Sequence, residues 1–227
     1  MDRRLTPRVA GILISATLAL ITLSPTNTVS AQTSTANAPS GADLVLLQRV
    51  LSQLGIHPVI NADFLQTRTS PLLTTPAITR GKLVFAREHG VIWQVQAPHP
   101  QCFIYGRTRS ARLDAEGNVL SLDTQPSAIT QQVTEWSNAL MRGDTSGLAS
   151  QFTATVNGTL NQWQVVLTPT QPQIAQAVKR LTLAGDTVVR SALLETRRGE
   201  SIKWQFDKVR TADQPDAREQ RLFKVVE

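Results

Sequence analysis

The chain has 227 residues, 41% of them apolar and 18% charged, with 12 Gly and 12 Pro. This balance excludes a disordered tail, a collagen-like repeat and a low-complexity chain, and the length allows one core or two small ones. The formal charge is +6, and a single cysteine, Cys102, excludes an intramolecular disulfide.

The first thirty residues read as an export signal. Arg3, Arg4 and Arg8 form a basic head, and the run from Val9 to Leu23 carries no charge. Ser24-Pro25 breaks it, and Val29-Ser30-Ala31 has the small-residue spacing of a signal-peptidase site, so cleavage is expected before Gln32. A retained anchor is the alternative, but the apolar run falls short of the roughly twenty residues a membrane span needs. Loss of residues 1–31 removes Arg3, Arg4, Arg8 and Asp2 and leaves a charge of +4. The remaining basic residues (Arg107, Arg109, Arg112, Arg197, Arg198, Lys203, Lys208 and Arg210) are mixed with acids and make no nucleic-acid stripe. The expected product is an exported monomer.

Residues 32–40 are a polar leader with little to bury. Leu44, Leu47, Leu51 and Leu54, widened by Val45 and Val50, repeat at helical spacing, and Gly55 and Pro58 end the helix. The period then changes to two. Leu83 and Phe85 alternate with Lys82 and Val84, and Val91, Trp93 and Val95 with Ile92, Gln94 and Gln96. Turn signals follow at His89-Gly90, Glu116-Gly117-Asn118, Asn157-Gly158, Gly185-Asp186 and Arg198-Gly199. Asn157-Gly158 predicts a tight hairpin turn that folds 151–156 back on 159–167. Trp163, Val165 and Leu167 form one strand face, and Ile202, Trp204 and Phe206 another.

Ile129, Val133, Trp136 and Leu140 predict a second helix from about Ser127, stopped by Gly143; Asp144 or Thr145 caps a short successor, on which Leu148 and Phe152 continue the apolar side. The whole is helix, five or six strands, helix, five or so strands: an antiparallel meander with two amphipathic covers. A sheet this large curls, and helices laid across its concave side enclose either a packed core or a ligand space. The folded domain is expected over 41–210. A charged tail, 211–227, either frays or adds an edge strand through Leu222, Phe223, Val225 and Val226.

Catalytic patterns are sparse. Gly143-Asp144-Thr145-Ser146-Gly147 reads as a helix cap, and there is no nucleophile elbow or His-Glu-x-x-His motif. His99 and Cys102 are a possible thiol–imidazole pair, but Cys102 opens a strand and reads better as a small buried apolar group. His57, His89 and His99 lack metal-site spacing, and Asn157-Gly158-Thr159 fits a turn better than a glycosylation sequon. No enzyme, metal or cofactor is implied.

One ordered set of motifs stands out. Phe64-x-Gln66 is followed by Gly81-x-Leu83, then Arg87, Trp93 and Pro98, and later Trp163-Gln-Val-Val-Leu167-Thr-Pro169. With the export signal, this resembles the periplasmic outer-membrane lipoprotein carrier family, the LolA-like proteins, from about Leu44 to Lys208. Glu88 stands where the family has proline, and Tyr105-Gly106-Arg107 replaces its Asp-Gly-aromatic segment, which marks a divergent branch. The resemblance implies an α+β fold: an unclosed, curled antiparallel half-barrel with helices covering its concave face as a lid. It also implies a cavity for the acyl chains of lipoproteins in transit. Its partners would be a loading inner-membrane ABC transporter and an unloading outer-membrane receptor. The family's arginine, Arg87 here, would hydrogen-bond the closed lid. Leu47, Leu51, Leu54, Trp136 and Leu140 are the candidate cavity residues of the lid; Phe85, Trp93, Val95, Trp163, Val165, Trp204 and Phe206 are those of the sheet. The competing function is a periplasmic adaptor or envelope-sensing module that binds protein on the same sheet.

Overall fold

The computed structural model describes residues 41–124 and 150–227. The export signal, the polar leader and the second predicted helix, including Trp136 and Leu140, lie outside these residues. The first helix, α1 (Gly41–Leu54), ends where the sequence places its stop, with the Gly55 amide closing on the Leu51 carbonyl at 3.0 Å. Six strands follow: β1 (Val59–Thr69), β2 (Ala77–Ala86), β3 (Gly90–Ala97), β4 (Gln101–Tyr105), β5 (Ser110–Leu113) and β6 (Val119–Asp123). Five more come after 149: β7 (Phe152–Thr159), β8 (Gln162–Pro169), β9 (Val178–Gly185), β10 (Val189–Thr196) and β11 (Ser201–Ala212). A single turn, α2 (Pro172–Ala175), links β8 to β9, and α3 (Ala217–Phe223) ends the chain.

All eleven strands form one antiparallel sheet in the order β6-β5-β4-β3-β2-β1-β11-β10-β9-β8-β7. The sheet is not closed: β6 and β7 are its two edges. The fold is therefore α+β with an unclosed antiparallel sheet. Two meanders meet where β1 pairs with β11, in a register that aligns Phe64 with Phe206 and Gln66 with Trp204. This ladder carries a bulge between Asn61 and Asp63, opposite which Lys208 adopts φ 49°. A bulge adds local twist and bends the strand that carries it.

Directly opposed residues of an antiparallel pair share a face, so the registers sort the side chains into two layers. One face carries Phe64, Leu83, Trp93, Phe103, Arg112, Trp204, Leu183, Val165 and Val156. Helix α1 packs on the β7–β9 end of this face, where Val50, Leu51 and Leu54 meet Phe152, Val156, Trp163, Val165, Leu167 and Leu183. The opposite face carries Val59, Val84, Ala86, Ile92, Cys102, Ile104, Ala111 and Leu113, buried with Phe223 and Val226. Among the described residues, helices thus cover the sheet on one side at one end and on the other side at the other end.

Three local expectations are corrected. The β7–β8 hairpin turns at Leu160-Asn161, not at Asn157-Gly158, so that Ala154 and Val156 oppose Leu167 and Val165. The apolar faces set this register, and a turn at 157–158 would have put Val156 opposite Thr159. Gly158 instead lies within β7 at φ 99°, where a Cβ would fall 2.1 Å from the Gln162 carbonyl oxygen. Phe152 belongs to β7 and not to the short helical successor expected after Gly143.

The charged tail neither frays nor adds a strand. Asp216 accepts from the amides of Arg218 and Glu219, each at 2.8 Å, and Glu219 accepts from the Asp216 amide at 2.8 Å. This reciprocal cap starts α3 against the sheet. Phe223 is fully buried and stacks on His89 with ring centroids 5.2 Å apart. Gly106 leaves space for Val226, whose methyl would lie 2.7 Å from a Cβ placed there. The tail is a structural cover because it carries the apolar groups that β2–β5 need.

Cys102 sits in this second core. Burial pushes its thiol up to about 11, against a smaller opposing pull from Arg218. Two outcomes follow. Phe223→Ala should lower the unfolding free energy by about 3–5 kcal/mol in denaturant titration, since it empties a closed site. Cys102 should resist iodoacetamide at pH 8 in the folded protein and react when denaturant is added, because a thiol titrating near 11 offers almost no thiolate at that pH.

Candidate functional site

The α1 stripe is used on β7–β9, and the same sheet face continues beyond it over β1–β5 and β11. Here the side chains are aromatic: Phe64 is buried, and Trp93, Phe103, Trp204 and Phe206 are half-buried. Trp93 lies against Phe64 with centroids 4.2 Å apart and meets Trp204 edge-on at 6.4 Å. Phe103 opposes Trp93 across β3–β4, and Phe206 opposes Phe64 across β1–β11. The surface is a connected aromatic floor.

The motif residues account for its geometry. Phe64 and Gln66 are two apart on β1 and so point to the same face. Phe64 supports Trp93, while the Gln66 Oε1 accepts from Trp204 Nε1 at 2.8 Å. Gly81 opposes Phe64 on β2 at a register shift, and a Cβ there would sit 1.9 Å from the Gln94 carbonyl oxygen and 3.0 Å from the Phe64 ring. Glycine is required because backbone from β3 closes over this point. Phe-x-Gln and Gly-x-Leu together fix the two tryptophans.

Arg87 follows β2. Its amide donates to the Pro58 carbonyl at 2.9 Å, and its Nη2 donates to the carbonyl of Gly55, directly after α1. A cation at the C-terminal end of a helix answers both the free carbonyls and the helix dipole. The other end of the contact is polar as well: Gln53 donates to the Asp186 carbonyl at 2.9 Å, which also accepts from Trp163 Nε1. Helix α1 is therefore held down by exchangeable hydrogen bonds at its last turn, in addition to its leucines. Among the described residues, the Nε atoms of Arg87 and Arg112 are buried without an acceptor. Arg112 stands next to Phe103 on the aromatic face.

The candidate residues from sequence divide into two groups. Leu51, Leu54, Trp163 and Val165 are buried in the α1 core, with Leu47 packed on its margin. Phe85 is buried, and Trp93, Val95, Trp204 and Phe206 are half-buried on the aromatic side of the same face. Trp136 and Leu140 fall outside the described residues. Sequence reading passed over Phe64, Phe103 and Arg112 as lining groups. Phe64 had a signal in its spacing to Gln66, whereas Phe103 and Arg112 join the face only through register. His99 is exposed and Cys102 lies in the α3 core, on the opposite face from the tryptophans. The described residues contain no group of three or more His, Cys, Asp or Glu side chains placed to hold a metal ion.

No curated protein matches this sequence. Among solved structures, MucB of Pseudomonas aeruginosa in complex with MucA aligns with a TM-score of 0.47 and 14% identity, over 82% of this chain and 62% of that one. The chain thus spans about three-fifths of MucB's length. A LolA superfamily protein from Nitrosomonas europaea aligns at 0.40 and 10% identity, over 77% of this chain and 97% of that one. A DUF1329 family protein from Desulfovibrio piger aligns at 0.42 and 11% identity, over 78% and 95%. The family model described as outer membrane lipoprotein carrier protein LolA-like matches residues 36–211, which spans α1 and nearly all of the sheet. With that match over most of its length, the chain belongs to the LolA-like family of outer membrane lipoprotein carrier proteins.

Proposed function

We propose that this protein is a periplasmic carrier that binds the acyl chains of lipoproteins, or of a related lipid-like cargo, and shuttles them from the inner to the outer membrane. The observation that carries this reading is the aromatic floor of Phe64, Trp93, Phe103, Trp204 and Phe206, on the sheet face that α1 shares but does not fill. Family membership supports it. An export signal before Gln32 would deliver the chain to the right compartment, an inner-membrane ABC transporter would load it, and an outer-membrane receptor would unload it. Binding itself involves no bond making or breaking.

The energetics suit reversible carriage. Each buried methylene contributes about 0.8 kcal/mol, so a chain of a dozen carries about 10 kcal/mol of water avoidance. Aromatic rings supply broad contact to such a chain without requiring one fixed pose. Release then needs a cover whose fastening exchanges readily, and the Arg87–Gly55 hydrogen bond is the group we assign to that fastening. Entry of cargo beside α1 would break it and leave the leucine contacts to reseal the helix.

A fluorescent fatty acyl probe should saturate one site on the protein purified without detergent. Trp93→Ala or Trp204→Ala should each weaken that binding about tenfold or more, from the loss of one large apolar contact. A parent protein with no saturable site, but with a co-purifying protein partner, would favour the adaptor instead. Arg87→Leu should keep the circular dichroism of the sheet while amide exchange over residues 51–55 quickens and probe release accelerates. Unchanged exchange there would remove Arg87 from the fastening role.

A further inference from the structure

The end of the sheet formed by the β1–β2 loop and the β10–β11 turn has a surface that the carrier reading leaves unexplained. The loop runs from Ser70 to Pro76, and its tip exposes Leu72 by 93% and Leu73 by 41%, with Ile78 on the adjoining strand exposed by 51%. The leucines are presented by a held turn. The Leu73 amide donates to the Ser70 carbonyl at 3.0 Å, and the Leu72 amide to Ser70 Oγ at 3.3 Å. A leucine almost wholly in water next to two more exposed apolar residues is a different matter from a scattered surface leucine.

The neighbouring turn is basic. Because β1 pairs with β11, the loop sits beside Arg197-Arg198-Gly199, and a Cβ on Gly199 would lie 3.3 Å from the Pro71 ring. The Thr69 and Ser201 hydroxyls hydrogen-bond at 2.7 Å and tie the two tips together. Both acids at this edge are already paired: Glu200 with Arg68, and Glu195 with Arg180 and Lys179. Arg197 and Arg198 are exposed, as is Arg80 further along β2. The tip is therefore apolar at its point and positive around its base.

We propose that this tip is a membrane-docking point, with Leu72 and Leu73 entering the interfacial layer of a bilayer and Arg197 and Arg198 meeting anionic lipid headgroups. A bilayer is favoured over a protein partner by size. A stable protein interface needs about 800 Å² from each side with matching shape, whereas this is a narrow projection of two or three apolar side chains. A lipid surface asks for no shape match, only apolar residues that reach past the headgroups and cations beside them. The inference does not depend on where cargo binds.

The test is co-sedimentation of the protein purified from the periplasm, as the cell processes it, with two kinds of vesicle. One is phosphatidylethanolamine with phosphatidylglycerol; the other is phosphatidylcholine alone. The parent should partition more strongly onto the anionic vesicles, and added salt should weaken that preference. Leu72→Ser combined with Leu73→Ser should lower partitioning about tenfold or more on both vesicles, at an unchanged melting temperature. Arg197→Gln with Arg198→Gln should lower it on the anionic vesicles only. Trp93→Ala should bind vesicles like the parent even where it loses the acyl probe. A parent that does not sediment with anionic vesicles, or a double leucine variant that sediments as the parent does, would overturn the docking point. So would a double leucine variant that alters oligomeric state alone, or loss of sedimentation on Trp93→Ala.

Discussion

The ladder between β1 and β11 brings together parts of the chain as far apart as Gln66 and Trp204, 138 residues from each other. Every other strand pair in the sheet links neighbours in sequence, so each meander can form by local pairing. Only this ladder makes the two into one surface. Loop-closure entropy must be met before such distant strands gain anything from pairing, so the side chains along it have to be rewarding ones. They are: Phe64, Phe206, Gln66 and Trp204 stand opposite one another along it, and the Gln66–Trp204 hydrogen bond bridges it. The structural join and the candidate binding floor share Phe64, Trp204 and Phe206.

From that join the two faces follow. An antiparallel sheet of eleven strands has two sides and too few helices in the described chain to cover both along their length. The arrangement is staggered: α1 covers the β7–β9 end of one face and α3 the β2–β5 region of the other. Each helix places its largest apolar groups over a closed patch of strand side chains: Leu51 and Leu54 over Phe152, Trp163, Val165 and Leu167, and Phe223 over Ile92, Ile104 and Leu113. Among the described residues, what remains is the aromatic region on the α1 face. Its tryptophans are half-buried and offer large contact areas.

The family motifs acquire physical meaning in this setting. Phe64 and Gln66 each steady a tryptophan; Gly81 allows the backbone of β3 to close over β2; Arg87 answers the free carbonyl after α1. None of the four is a reacting group. All four set the position of an apolar floor and of the helix beside it. The orphaned Nε of Arg112 next to Phe103 adds one polar atom to a face otherwise built from rings.

Periodicity alone is enough for α1, the antiparallel meanders and the apolar face of β8, because amphipathic spacing records which side of an element is buried; in β3 the buried side chain is Ile92, on the face opposite Val91, Trp93 and Val95. The capping box Asp216-x-x-Glu219 was also legible, yet the charge of the tail obscured it, and α3 was read as a fray or an edge strand. The β7–β8 turn misled because Asn-Gly is a strong local signal, and the pairing of Val156 with Val165 outweighed it. Which strands become neighbours at the join, and hence that Phe103 and Arg112 share a face with Trp204, is written in no local window. Sequence spacing determines what each strand presents; only the tertiary register decides what is presented together, since a side chain's neighbours across a sheet come from other parts of the chain.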